Sequence, residues 1–474
     1  MTDDDLAHLD ATAQAELVRS GEVSARELVE AAIARIEALN PQLNAVIHTD
    51  YDRALAAAAL RPADDAPFGG VPFLLKDIGA NQAGLPYWAG NRALKAAGNT
   101  SDADTELGAR FRSAGLVTLG KTNLPEFGSC PTTQPLSCGP TANPWDPARS
   151  PAGSSGGAGA AVAAGMVPIA HANDGGGSTR LPAAWCGLVG LKTTRGRVPN
   201  PDTVSRLVSE LVVTRTVRDT ARLLDAVHGA TAADLFHATP PEVPYARAMD
   251  ADTGPLRVAI LTDGGVVNVD PDCVAGVEAA AQALEGLGHG VEPVGSEMLL
   301  GPASAVNGRL WMAGIARRVQ QVGEVLGRPL TADEVEPYNW AAAERGKLMP
   351  AIDWVAAEEV QQAWSRSVVA WLAGWDLLVT PTAGCPPMTT AELAPPEVDP
   401  WRIGRTYGRI GLFTLPFNVT GNPAISLPLH TTDTGLPVGI QLVGAMGRED
   451  LLLQVAAQLE QALPWADRRP LVHA

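Results

Sequence analysis

The chain has 474 residues and a formal net charge of −17, from 35 lysines and arginines against 52 aspartates and glutamates. An acidic chain repels the phosphates of nucleic acids and the anionic surface of membranes, so we expect neither as a partner and predict a small-molecule substrate. The start, MTDDDLAHLD, is acidic where a secretory signal would be basic and then apolar, which indicates a cytoplasmic protein.

The first predicted element is a helix that begins after Ser24. Ser24 and Glu27 form a capping box, and apolar residues follow at helical spacing. Asn40 and Pro41 predict the end of this helix.

Short apolar runs then alternate with helical patterns along the whole chain. Amphipathic helices are predicted at 270–289 and 450–462. This alternation favours a large α/β sheet covered on both faces, and the Pro-rich loops at 60–67, 138–152 and 385–400 do not resemble tethers between domains. The runs that predict buried strands are VPFLLKD, GLVTLGKTN, MVPIAHAND, RVAILTDG, DLLVTPT, AISLPLH and VGIQLVGA.

Tryptophan is concentrated in a helical-looking region at about 305–400, which contains seven of the eleven tryptophans. We expect most of them to pack between helices, and one or two to form an aromatic wall over a substrate pocket. The seven are Trp311, Trp340, Trp354, Trp364, Trp371, Trp375 and Trp401.

Residues that bind metals or form disulfides are scattered. The five cysteines form no CxxC pair and the eight histidines no HExxH pattern, so we expect no disulfide framework, no metal and no cofactor. Lysine occurs only five times, and Lys76 lies in an apolar run. Burial there would lower its pKa and let a neutral amine accept a proton, with Asp77 on the opposite face of the strand. The alternative is a lysine that reaches solvent from a strand end.

The stretch SPAGSSGGAGAAVAAG, residues 150–165, contains the pattern GxSxG with Ser155 in the nucleophile position of an α/β-hydrolase. Three prolines precede it where a strand is required, so this remains a minor hypothesis. The stretch matches neither the phosphate-binding pattern GxxxxGK nor the dinucleotide-binding pattern GxGxxG.

A second cluster, HANDGGGSTR, places Gly175, Gly176 and Gly177 directly before Ser178. Consecutive glycines let backbone N–H groups converge on one point, as an oxyanion hole requires. Ser178 is therefore the predicted nucleophile. A flexible glycine-rich turn is the alternative, but the apolar segments on both sides disfavour it.

Lys76 in PFLLKD, Ser154 in AGSSGG and Ser178 in DGGGSTR together resemble the amidase signature family, whose enzymes use a Ser-cisSer-Lys triad. The two serines are 24 residues apart, as in that family, and the similarity extends from GKTNLPEFG to GLPVGIQLVG. The resemblance implies an amidase signature fold with a large mixed central β-sheet covered by helices on both faces. It also implies one amidase domain over residues 1–474, with the tryptophan-rich region covering the substrate pocket.

The resemblance implies a role for each motif residue. Ser178 attacks the carbonyl carbon, and Ser154, which follows a cis peptide, relays the proton to neutral Lys76. Backbone N–H groups of the three glycines and Ser178 hold the oxyanion, and Ser155 and Asp174 support the two loops. The chain departs from the family pattern beside these residues, for example with alanine at position 152 and glycine at position 175.

Within the family, DATAQAELVRSGE, LGRPLT and GREDLLLQVAAQLEQALPW most resemble the branch of 6-aminohexanoate cyclic dimer hydrolases. Trp311 lies where that branch has a substrate-facing cysteine, which indicates a different pocket. We therefore predict an amidase for a small apolar or aromatic amide, with esters and carbamates (urethanes) as further candidates and a homodimer as one option for its assembly. The alternatives are a glutaminase subunit of a tRNA-dependent amidotransferase and a non-catalytic binding protein.

Overall fold

The computed structural model describes residues 3–63, 65–200, 205–299, 303–393 and 402–474. Trp401 and the end of the predicted loop at 385–400 lie outside these ranges. Within them the strands form one mixed sheet, in the spatial order β1-β3-β2-β4-β6-β5-β10-β11-β9-β7-β8. The strands are β1 Val46–Thr49, β2 Pro72–Lys76, β3 Val117–Thr122, β4 Ile169–Asp174, β5 Val189–Lys192, β6 Ser209–Thr214, β7 Arg257–Ile260, β8 Gly290–Pro293, β9 Leu377–Pro381, β10 Ala424–Thr431 and β11 Pro437–Gly444.

The helices of the described residues connect these strands and cover the sheet. Two short 3₁₀ turns lie at Glu126–Gly128 and Ala332–Glu334. The α-helices are α1 Asp3–His8, α2 Ala11–Ser20, α3 Ala25–Leu43, α4 Tyr51–Ala58, α5 Arg92–Ala96, α6 Glu106–Ser113, α7 Gly156–Ala163, α8 Arg180–Cys186, α9 Val217–Val227, α10 Tyr245–Ala248, α11 Pro271–Gly286, α12 Ala303–Leu326, α13 Pro337–Gly346, α14 Ala351–Leu372, α15 Arg402–Ile410, α16 Leu415–Thr420 and α17 Glu449–Ala462.

All seven apolar runs that predicted strands form strands, and both predicted amphipathic helices form as α11 and α17. The sequence patterns missed β1, β5, β6 and β8. Strands β1, β5 and β8 have only four residues each, and β8 is largely exposed. Strand β6 begins with Ser209 and Glu210, which hide its apolar character. Short or polar strands form because neighbouring strands pair with them, and such pairing leaves little local signal.

Helix α3 has the predicted capping box, but it continues past the predicted end to Leu43. Pro41 lies in the last turn of the helix. Asn44 then ends it in a left-handed conformation and donates its N–H to the carbonyl of Asn40 at 2.8 Å. The Asn40 side chain accepts the N–H groups of Ala45 and Val46, so this residue supports the helix end instead of breaking the helix.

The sheet is buried on both faces, as predicted. On β2, Phe73 and Leu75 belong to an apolar cluster with α9, α11 and α17, whereas Leu74 belongs to a cluster with α3, α7 and α8. This alternation follows from the two-residue period of a strand. It places Lys76 on the side of Leu74, facing α7, and Asp77 on the opposite side.

Helices α12 and α13 form a separate layer beside the sheet. Their apolar residues, among them Ile315 and Ala343, pack with Leu94 of α5 and with Phe127. In the described ranges, no helix combines the length and apolar character needed to cross a membrane.

Candidate active site

Parallel strands β2 and β4 are neighbours, so their carboxyl ends meet at one edge of the sheet. Strand β2 ends there at Lys76, and β4 ends at Asp174. The loop that carries Ser154 precedes α7, and the loop that carries Ser178 leads into α8. The N–H of Ser155 donates to the carbonyl of Ser178 at 3.2 Å, which ties the two loops together. The fold thus brings the three separated sequence motifs to one place.

The amine of Lys76 lies at the centre of this site. Its Nζ is 2.7 Å from Ser154 Oγ, 2.8 Å from Ser155 Oγ and 2.6 Å from Asn173 Oδ1. The side chain is fully buried, so the alternative of a lysine that reaches solvent is wrong.

Burial controls the charge of Lys76. Removal from water lowers its pKa to about 7, although the carboxylates of Glu210 and Asp174 raise it. A lysine with such a pKa carries a neutral amine for much of the time near pH 7, and a neutral amine can accept a proton.

Ser154 is buried to 1% exposure, yet it lines the cavity together with Ser178. The peptide bond between Gly153 and Ser154 is cis. A Cβ atom on Gly153 would lie 2.5 Å from the backbone N and O atoms of Thr132, so only glycine fits there. This close contact fixes the backbone that presents Ser154 to Lys76.

Ser155 has a different environment from Ser154. Its hydroxyl contacts Lys76 and the backbone of Asn173, and the residue is fully buried away from the cavity. The preceding stretch forms irregular loop and no strand. The geometry therefore does not support Ser155 as the nucleophile of an α/β-hydrolase elbow.

The loop before Ser178 presents only part of the predicted glycine run to the cavity. Gly175, Gly176 and Ser178 line the cavity, whereas the N–H of Gly177 donates to Asp174 Oδ1 at 2.7 Å. The expectation that Gly177 supplies an oxyanion donor is thus corrected, because a buried carboxylate must be hydrogen-bonded and Asp174 takes that N–H. Gly177 has φ +131°, and a Cβ there would lie 2.4 Å from Thr414 Oγ1.

Asp174 holds the loop together from beneath. Besides Gly177, it accepts from the N–H of Thr179 and from Arg180, whose NH2 lies 2.8 Å from Oδ1 and whose Nε lies 2.9 Å from Oδ2. Burial alone would raise the pKa of Asp174, but the charge and hydrogen bonds of Arg180 hold it well below its usual range. The carboxylate is therefore charged and supports the loop, as the resemblance implied for its position.

The cavity above these residues has a volume of about 1950 Å³. Its walls include Phe127 and Leu181 near the sheet, Trp311 of α12, Tyr338 of α13 and Tyr407 of α15. The rings of the two tyrosines meet edge to face, with centroids 6.0 Å apart. The pocket is thus walled mainly by aromatic and aliphatic side chains.

Among the described tryptophans of the region at 305–400, three line the cavity instead of the expected one or two. Trp311, Trp354 and Trp364 do so from α12 and α14. Trp340 packs with the α12–α13 cluster, and Trp371 and Trp375 pack with the cluster around β9. The extra cavity contact arises because α14 runs along the cavity mouth, and the sequence pattern does not contain that information.

Four residues of the site were not identified from the sequence. Asn173, His171 and Glu210 lie around Lys76, and Arg180 pairs with Asp174. Three of the four are polar or ionisable side chains within apolar strands, in the stretches IAHAND and SELVVT. A buried polar residue needs a partner, so an ionisable residue within an apolar strand was the available signal.

Comparisons with known proteins agree with this site. The sequence pattern of the Amidase family matches residues 27–453. The 6-aminohexanoate-cyclic-dimer hydrolase of Paenarthrobacter ureafaciens is 44% identical over 480 residues, which cover 97% of this chain and 96% of that protein. An acylamidase of Rhodococcus erythropolis is 34% identical and covers 99% and 98% of the two chains.

A solved structure of 6-aminohexanoate cyclic dimer hydrolase complexed with substrate has the same fold. It superposes with a TM-score of 0.93 at 42% identity, over 98% of this chain and 100% of that chain. The similarity spans the whole length of both proteins, so it includes the sheet edge and the helical layer. The chain therefore belongs to the amidase signature family and is an amidase, a hydrolase of amide C–N bonds.

Proposed function

We propose that the protein hydrolyses a small, apolar or aromatic amide through an acyl-Ser178 intermediate. The observation that carries this proposal is the 2.7 Å contact between the buried Lys76 amine and Ser154, on the floor of a cavity that Ser178 also lines. A base, a bridging hydroxyl and a second hydroxyl beside an apolar pocket are the parts that acyl transfer needs.

In the first half-reaction, Ser178 Oγ attacks the amide carbonyl carbon. Its proton passes to Ser154 Oγ while the proton of Ser154 passes to the neutral Lys76 amine. The carbonyl oxygen becomes an oxyanion, and the N–H groups of Gly175, Gly176 and Ser178 stabilise it. Collapse of the intermediate breaks the C–N bond, and the proton returns through Ser154 to the leaving nitrogen.

In the second half-reaction, water attacks the acyl-Ser178 ester. Lys76 accepts the water proton through Ser154 and then returns it to Ser178 Oγ as the ester bond breaks. The products are the free acid and the regenerated serine. Esters and carbamates (urethanes) can follow the same route, because only the leaving group or the carbonyl substituent differs.

The preference for apolar substrates follows from the cavity walls. Phe127, Leu181 and Trp311 provide apolar surface, and such pockets bind ligands chiefly by removing apolar area from water. The names of the relatives indicate both a cyclic and an acyl amide as substrates of those proteins. We propose that Trp311 favours a flat aromatic or linear amide over a cyclic dimer.

The two alternatives from the sequence are not favoured. A non-catalytic binding protein would not need a buried lysine that contacts two serine hydroxyls. A glutaminase subunit of an amidotransferase would need polar contacts for the amino acid substrate, whereas the described walls of the cavity are mainly apolar.

The test is a substrate panel with wild type and Ser178→Ala. The panel contains an anilide, an aryl urethane, the 6-aminohexanoate cyclic dimer and glutamine, and product release is followed together with the intact mass of the protein. We expect wild type to turn over the anilide and to show a trapped acyl adduct. We expect Ser178→Ala to lose at least about 10⁴-fold in kcat and to form no adduct.

The control variant is Ser367→Ala, which removes an exposed hydroxyl that donates to the Ala363 carbonyl on α14. It should retain wild-type activity. Turnover that survives in Ser178→Ala would rule out the proposed nucleophile, and glutamine as the only substrate would favour the amidotransferase function.

A further inference from the structure

The three contacts of the Lys76 amine specify where its lone pair points. A neutral amine has two N–H donors and one lone pair, whereas an ammonium has three donors and no lone pair. The three neighbours of Nζ are the side chains of Ser154, Ser155 and Asn173. To act as a base toward Ser154, the amine must direct both N–H groups at the other two residues.

Asn173 can take one of these N–H groups only if its carbonyl oxygen faces Lys76. Its Nδ2 donates to Glu210 Oε1 at 3.3 Å, while its Oδ1 lies 2.6 Å from Lys76 Nζ. An ionised carboxylate accepts hydrogen bonds and does not donate them, so Glu210 holds the NH₂ end of the Asn173 amide. Glu210 thereby determines that the acceptor end faces the lysine.

Ser155 is prepared to take the second N–H. Its hydroxyl donates to the carbonyl of Asn173 at 3.3 Å and receives the N–H of Asn173 at 3.4 Å. Since the Ser155 proton is directed at that carbonyl, its oxygen acts as an acceptor toward Lys76. With both N–H groups engaged, the lone pair of the neutral amine is left for Ser154.

His171 completes the network around Glu210. Its Nε2 is 2.7 Å from Glu210 Oε2, and its Nδ1 accepts the backbone N–H of Lys76 at 3.3 Å. The proton of a neutral His171 therefore lies on Nε2 and is donated to Glu210. Burial lowers the pKa of His171, although its hydrogen bond and ion pairing with Glu210 raise it.

We propose that Glu210 is a positioning residue of the amidase reaction, which acts through Asn173 and His171 to aim the lone pair of Lys76 at Ser154. This inference rests on the proposed function of Lys76 as the base. It assigns a role to a buried carboxylate that touches neither the substrate nor the reacting atoms. Glu210 is 1% exposed and lies in β6, which pairs with β4 opposite Asn173.

The ionisable groups around Lys76 come from the two strands beyond it. Glu210 of β6 and Asp174 of β4 both favour its charged form, and His171 of β4 is next to it. On the other side, Lys121 of β3 interacts with Asp77, and its positive charge disfavours a charged His171. Removing Glu210 should therefore favour the neutral amine while releasing Asn173 from its fixed orientation.

The experiment measures how fast a fluorophosphonate probe modifies Ser178 as a function of pH. In this reaction the bond from Ser178 Oγ to phosphorus forms, the P–F bond breaks and fluoride leaves, while the serine proton passes through Ser154 to Lys76. The rate should rise with pH as Lys76 loses its proton. The readout does not depend on which amide is the substrate.

We expect two opposite shifts of this acid limb. Glu210→Gln removes a carboxylate that favours the ammonium form, so the limb should move down by about one pH unit. The plateau should also fall by about tenfold, because Asn173 loses its fixed orientation. Asn173→Asp places a carboxylate against Nζ, so its limb should move up by about one pH unit.

Glu449→Gln is the matched control. Glu449 is a fully buried glutamate that binds Arg197 and the N–H of Thr194, and it does not contact Lys76. Its loss should reduce stability and leave the limb where it is in wild type. A lower plateau with an unmoved limb in both network variants would overturn the inference. A wild-type protein that the probe does not modify would instead contradict the proposed nucleophile.

Discussion

The floor and the wall of the cavity are built by opposite rules. On the floor, Lys76, Ser154 and Asp174 are buried, and every one of them is hydrogen-bonded to other buried polar groups. On the wall, Trp311 and Tyr407 are half-buried and contribute mainly aromatic surface. The floor is a closed polar network, and the wall is a packed apolar surface.

This difference teaches where the protein tolerates change. A buried polar group that loses its partner costs the full free energy of its desolvation, so a change on the floor should affect both chemistry and stability. An apolar wall residue can be replaced at a smaller cost, because its neighbours are apolar as well. We expect the floor to determine the reaction and the wall to select the substrate.

The largest effect should come from replacing the floor's base. Lys76→Met keeps the length of the side chain and removes the amine, so kcat/KM should fall by about 10²- to 10⁴-fold at every pH. In wild type, kcat/KM should rise with pH through about 7, the pKa of Lys76, because the neutral amine is the active form. Steady-state kinetics between pH 5 and 9 measure both effects.

Lys76→Arg is the companion variant, because it keeps a positive charge and does not supply a neutral amine near pH 7. It should be as inactive as Lys76→Met. Activity in either variant that still follows an acid limb near pH 7 would show that the base lies elsewhere.

The next largest effect should be on stability. Asp174→Asn keeps the shape of the side chain but leaves the buried charge of Arg180 uncompensated, which should lower the free energy of unfolding by about 3 to 5 kcal/mol. Urea unfolding at pH 7 measures this change. Glu344→Gln breaks the exposed pair with Lys347 and should change stability little. Equal changes in the two variants would mean that the floor is no more coupled than the surface.

The smallest effect should come from the wall. Trp311→Ala removes an aromatic surface from the cavity, so KM for an anilide should rise about tenfold while kcat changes less than about threefold. Trp375→Ala is the matched control, because Trp375 packs against Arg257 away from the cavity. A collapse of kcat at unchanged KM in Trp311→Ala would place Trp311 in the chemistry and erase the distinction between floor and wall.

Much of the floor could be predicted from residue types that are unusual in their surroundings. Lys76 interrupts an apolar run, and the glycine-rich stretches before Ser154 and Ser178 need backbone conformations that other residues rarely adopt. The same reasoning placed the alternation of strands and helices correctly. It failed for β6, where Glu210 disguises a strand, and for the N–H of Gly177, whose partner depends on the position of Asp174.

The sequence by itself determined the reactive residues, the seven apolar strands and the covered sheet, because these depend on local pattern and on the chemistry of single side chains. Only the tertiary structure decided which groups surround Lys76. Asn173 and Glu210 are adjacent across the paired strands β4 and β6 but 37 positions apart in the chain. Such contacts between distant positions come from strand pairing and helix packing, and no local pattern encodes them.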